Sequence, residues 1–221
     1  RAAPTPVVLQ QDRSDCGLAA LAMVAGAWGQ SWTLAELQQS MPPKSDGVRL
    51  GALRDYARSH GLVAYAVKGT HKDLQFELER HRPVLLGLIL PFAKDKALAH
   101  YEVAIAVDPR DGSVVTLDPA TGKHMRRTRA VLEQEWKPAG YATLVVVGKA
   151  GVHDGALERR LVRPGQGVKK DVDREHARRS ALQEHLGESP GRRTGVEAQP
   201  TCHDDVGEAV DLDAVEQRLV G

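Results

Sequence analysis

The amino-acid sequence predicts an α+β fold with an antiparallel sheet, preceded by a helical half and followed by a charged tail. Three observations carry this. Helical spacing dominates the first sixty residues and extended apolar runs dominate the next ninety, an order typical of segregated helices and strands. The segment Asp108-Pro109-Arg110-Asp111-Gly112 separates two apolar stretches, which is a hairpin signal. All nine aromatic residues lie between Trp28 and Tyr141, so core-forming material is confined to one region.

Taken in order, 16–27 is rich in Ala and Leu and suits a buried helix that Gly29 ends. Thr33 and Glu36 have the spacing of a capping box and start a second helix that must stop before Pro42. Leu50, Leu53, Tyr56 and Ala57 share one helical face, and Gly61 closes that third helix. A strand is expected at 62–67, a helix at 72–80 and a buried apolar strand at 83–90. The hairpin then takes 100–107 and 113–117, with His100 beginning the first of these strands. A short helix at 131–136 and a strand at 141–147 complete the series.

The chain of 221 residues divides near Ala150: residues 1–150 form the core domain and 151–221 a charged, partly helical or disordered tail. Of the first 150 residues 34 are charged, against 25 of the last 71, the direction expected where globular character is lost. Within the tail, 171–186 and 212–220 have helical character, and 192–200 reads as linker. A chain cut after Ala150 should therefore still melt in one sharp transition; a broad one would misplace the boundary.

Composition removes several functions. A formal charge of +1 supplies no basic field for nucleic acid. The longest apolar runs, such as 84–90, are strand-sized and far short of the roughly 18 residues of a membrane span. Two cysteines, Cys16 and Cys202, are too few for a disulfide framework or an all-cysteine zinc site.

Chemistry concentrates at Cys16. It opens the first expected helix after the polar loop 10–15, at an exposed helix start, where the positive end of the backbone dipole favours thiolate. Asp15 before it provides a polar entry, and Gly17 after it allows close backbone approach. A nucleophilic cysteine needs a base and a group that fixes that base. If the hairpin strands pair, their far ends bring His100 beside Asp118, which follows Leu117. An acyl-transfer site also needs oxyanion donors, and the Cys16 amide and the side chain of Gln10, six residues upstream, are the candidates.

The run from Gln10 through Asp15-Cys16-Gly17, Ala19, Leu21, Met23 and Val24, followed by His100-Tyr101 and Asp118-Pro119, resembles the C39 peptidase domain. That is a papain-like cysteine protease family that cleaves leader peptides after double-glycine motifs and is often fused to bacterial exporters of bacteriocins. The resemblance covers roughly residues 5 to 148. It implies Cys16 as nucleophile, His100 as general base and then acid, Asp118 as orienting residue and Gln10 as oxyanion donor. It implies a peptide or protein substrate with a Gly-Gly or Gly-Ala leader, association with an export system, and neither cofactor nor metal. The 221 residues show neither a transmembrane nor an ATPase segment, so a stand-alone form is expected. A start at Arg1 instead of Met fits a trimmed precursor and favours an exported or periplasmic location.

Glu102 departs from the resemblance, standing where an apolar residue is usual and sharing a strand face with His100. It either supports a charge on His100, contacts a substrate amine, or is a solvated strand-end carboxylate. Other clusters carry less. His71 and His81 flank a helix, and His124, His153, His176 and His185 lack ligand spacing. Cys202-His203-Asp204-Asp205 lacks a second ligand pair, and the basic run 123–129 reads as a solvated face. Two rivals share the site: an amidase or transglutaminase-like acyl transferase, and a leader-binding module without turnover, against which the presence of Cys16 argues.

Overall fold

The computed structural model describes residues 2–94 and 96–148. The expected tail elements, the Cys202 cluster and the boundary at Ala150 lie outside the described residues.

Three helices come first: α1 (Cys16–Gly26), α2 (Leu34–Ser40) and α3 (Leu50–Ser59). Strand β1 (Val63–Lys68), α4 (His71–Leu78), β2 (Val84–Ala93), β3 (Lys96–Val107), β4 (Val114–Leu117), β5 (His124–Arg127), α5 (Arg129–Trp136) and β6 (Ala142–Val147) follow. The expected capping box at α2 forms: the Thr33 hydroxyl accepts from the Glu36 amide while the Glu36 carboxylate accepts from the Thr33 amide at 2.8 Å.

The six strands form one antiparallel sheet in the order β1-β6-β2-β3-β4-β5. Its central strands are covered on both faces, which is why β2 reads as an unbroken apolar run instead of alternating. On one face Leu85, Val103, Leu117, Leu144 and Val146 pack with α1, α2 and α3. On the other, Val84, Leu86, Leu88 and Val145 pack with Leu74 and Leu78 of α4 and Leu132 and Trp136 of α5. Residues 16–25 of α1 are all buried, so this helix has no solvent face, as its Ala- and Leu-rich sequence allows.

Two elements differ from expectation. Strand β3 starts at Lys96, not His100, because 96–99 continue the ladder with β2; His100 sits mid-strand opposite Leu88. Residues 124–127, expected as part of a solvated basic face, instead form β5, paired with β4 from Leu117↔His124 to Val114↔Arg127. A tight turn makes this pairing: the Gly122 amide donates to Asp118 O at 2.7 Å and the Asp118 amide to Lys123 O at 3.0 Å. The 108–112 turn closes as expected, with Gly112 at φ +70°, a conformation other residues adopt only with strain.

Candidate active site

The nucleophile candidate is set by the turn that leads into α1. Residues Arg13–Asp15 make one 3-10 turn, and the buried Asp15 carboxylate accepts from the Asp12 amide at 3.1 Å and from Gln38 Nε2 of α2 at 2.9 Å. Cys16 follows as the first residue of α1. It is 5% exposed, so the expectation of an exposed helix start is corrected: α1 is wrapped by sheet and helices from its first turn. Gly17 permits this. A Cβ there would stand 3.0 Å from Tyr101 Cδ2 and 3.3 Å from Leu53 Cδ1, so its absence lets β3 close on the helix start.

The same closure brings His100, the neighbour of Tyr101, close enough to Cys16 for the sulfur to favour charge on its imidazole. Pairing between β3 and β4 begins at Val103↔Leu117, so the flank of β3 at His100 is left to the loop that carries Asp118. His100 Nε2 lies 2.7 Å from Asp118 Oδ1. Asp118 also accepts from the Ala120 amide and the Thr121 hydroxyl, each at 2.8 Å. Burial works against ionisation of Asp118, but His100, Ala120 and Thr121 outweigh it and hold the carboxyl below its ordinary pKa. An ionised carboxylate can only accept, so Nε2 carries the proton and Nδ1 is the nitrogen available to the thiol.

Burial also opposes charge on His100. The hydrogen bond to Asp118, then the Cys16 side chain and the charge of Glu102, overcome it and hold the imidazole well above its usual pKa. This arrangement can keep an imidazolium beside a sulfur, withdraw its proton for an attacked group's departure, and take it back.

Gln10 is placed less completely. Its backbone amide donates to Pro119 O at 2.9 Å, tying the segment before α1 to the loop after Asp118, while its side-chain Nε2 donates to Asp12 O at 3.0 Å. The structure therefore brings Cys16, His100 and Asp118 together and sets Gln10 between their loops, with its amide engaged by the backbone.

Glu102 is not a solvated carboxylate. It is 1% exposed, and Arg127 of β5 holds it in a two-pronged ion pair at 2.7 and 2.8 Å. Arg127 Nε reaches Glu135 of α5 at 2.6 Å, and the Thr116 hydroxyl donates to Glu102. With both oxygens committed, Glu102 is not free to meet a substrate amine. His100, Glu102 and Asp118 each bring one ligand-type atom within 4.8 Å of the others. That cluster makes a poor metal site, because a guanidinium already takes the cation's place on Glu102 and His100 occupies Asp118 Oδ1. Thr116, Glu135, Gln38 and Thr121 are not among the residues that the sequence singles out, and Arg127 stands there only within the run 123–129 read as a solvated face. Of these, Thr121 carried a signal, as a hydroxyl three residues after a turn-forming Asp.

The sequence profile of the peptidase C39 family matches residues 4–148. The pediocin PA-1 transport/processing ATP-binding protein PedD of Pediococcus acidilactici is 32% identical over 127 residues, covering 58% of this chain. The chain spans 17% of that protein's length. Among solved structures, a double glycine motif protease from an AMS/PCAT transporter, in complex with the leader peptide, superposes with a TM-score of 0.53 at 20% identity. The overlap is 67% of this chain and 94% of that one. The peptidase domain of Streptococcus ComA, a bi-functional ABC transporter involved in a quorum sensing pathway, gives 0.52 at 22% identity, covering 65% and 98%. At such identities the likeness is one of fold.

Proposed function

The chain belongs to the peptidase C39 family, and we propose that it is a cysteine endopeptidase that cuts a leader peptide after Gly-Gly or Gly-Ala. The observation that carries this reading is the buried 2.7 Å pair of His100 and Asp118, its imidazole held well above its usual pKa with Cys16, the first residue of α1, among the causes. In it, the Cys16 thiolate adds to the carbonyl carbon of the scissile bond. The resulting oxyanion is met by the Cys16 amide and by Gln10 Nε2, which exchanges its bond to Asp12 O for the substrate oxygen. The C–N bond breaks as His100 gives its proton to the leaving amine, producing a thioester. His100 then takes a proton from water, whose oxygen releases the leader as an acid and frees the sulfur. Asp118 fixes the imidazole throughout.

The substrate reading rests on the burial of the site. Cys16 and His100 are only 5% and 4% exposed, and a substrate that meets them must bring little bulk to the sulfur, which suits residues without side chains. Two glycines offer little apolar area, so affinity must come from the rest of the leader. Exposed Val7 and Leu9, which lie over Gly122 beside the Asp118 loop, provide apolar surface for it. Association with an export system belongs to the same reading, since the curated relative joins processing to transport, and so does an exported location.

Mass spectrometry of leader peptides incubated with the protein, with and without an added amine, tests the reading. Cleavage after the second small residue is expected. Leu in place of the final small residues should slow it at least 10²-fold, and a peptide cut back to the dipeptide should lose most of its affinity. Equal cleavage of the Leu variant would refute this limit on bulk. Dominant amine adducts would point to acyl transfer, and binding without cleavage to a leader-binding module.

A further inference from the structure

Behind His100, four elements join in one buried ionic network: Glu102 on β3, Thr116 on β4, Arg127 on β5 and Glu135 on α5. The three charged members are between 1% and 3% exposed. Two carboxylates share one guanidinium away from water; burial pushes the Glu135 carboxyl above its ordinary pKa, and a negative charge held there is costly unless a cation stands near it. His100 is that neighbour, with Glu102 on its own strand face and within 4.8 Å.

We propose that Glu102 is an electrostatic positioning residue for this site: fixed by Arg127 and Thr116, it makes no direct bond to the imidazole and acts by its charge, favouring the imidazolium opposite Cys16. The proposal rests on the peptidase reading above for its function, though its physical content concerns His100 alone. The charged and titratable groups around His100 are Cys16 from α1, Asp118 from the loop after β4, Glu102 from β3, and behind them Arg127 and Glu135. Asp118 binds and orients the ring. Glu102 adds charge without competing for either ring nitrogen, and the ion pair with Arg127 prevents it from swinging in to take the proton itself. Coupling between Glu135 and His100 across the network runs in the same sense.

Glu102→Gln tests this, since it keeps the shape and the acceptor oxygen for Arg127 while bringing the network to neutrality. The rate of alkylation of Cys16 by iodoacetamide, read by mass spectrometry on the Cys16 peptide of the full chain between pH 5 and 10, reports the titration of its partner without any substrate. The step assigned to His100 should fall by about one pH unit in Glu102→Gln, and the alkaline limb of leader cleavage should fall with it. A purely structural role would lower the melting temperature and leave both where they are in the wild type, which would overturn the proposal. Should Glu102→Gln fail to fold, Glu135→Gln removes the same charge from the α5 end and should give a smaller shift in the same direction; no shift there overturns it equally. If the alkylation step moves but the wild type cuts no leader, the peptidase reading fails and this one stands. If the wild type cuts and the step stays, only this one fails.

Discussion

Cys16→Ala abolishes leader cleavage, with kcat falling on the order of 10³-fold or more, as for nucleophiles whose partners act as a unit. The sulfur is the bond-forming atom in the proposed cycle, and no other cysteine lies in the described fold. The structural cost is small by comparison. Cys16 is one of the buried residues around α1, and deleting its sulfur leaves a space smaller than a methionine truncation would, costing about 1 kcal/mol. Cleavage assays paired with a melting curve separate the two effects. Retained turnover in the purified variant would end the cysteine mechanism, whereas Cys202→Ala should be almost silent.

Asp118→Asn lowers kcat about 10²-fold or more and moves the pH profile. The active form in the proposed cycle has His100 protonated, so activity is lost as pH rises through the His100 pKa. Because that pKa is held well above 6.5, the wild-type alkaline limb should lie well above pH 6.5. Asparagine keeps an oxygen for the Ala120 amide and for Nε2 but removes the charge. The imidazolium is then less favoured, and the limb should move to lower pH. Measuring kcat/KM from pH 5 to 10 checks the sign, and an unmoved limb in a folded variant would show that Asp118 does not support that charge.

The parts of this site that were legible in the sequence are those set by short-range rules. The hairpin turn at 108–112 fixes which residues end up opposite one another, so the contact between His100 and Asp118 could be anticipated from two strand lengths. The capping pair Thr33 and Glu36 is equally local. What escaped depends on distant partners. Arg127 sits in a run of basic residues and looks solvated until Glu102, 25 residues away, and Glu135 are known to face it. Gln38 is an unremarkable helix residue until α2 is packed against the turn before Cys16, 23 residues back. Strand β3 begins four residues before the expected start at His100, because the pairing of Ala97 and Ala99 with β2 overrides their weak β preference. Cys16 looked exposed because a helix start usually is, and the packing of Tyr101 against Gly17 is invisible to local patterning.

The open flank of β3 beside His100 has a consequence for when the thiol becomes dangerous. Cys16 is made early in synthesis, yet its imidazole is placed only after β3 has paired with β2, and its carboxylate only after β4 has paired with β3. About a hundred residues separate the nucleophile from Asp118. At ribosomal speeds of roughly 5–20 residues per second, that leaves an interval of about 5–20 s in which the growing chain carries an ordinary cysteine. A ribosome-bound chain stalled before residue 118 should react with iodoacetamide no faster than an unfolded thiol. In the proposed reading, proteolytic competence thus arrives only with the closing of the sheet, after the strands that surround the thiol have paired.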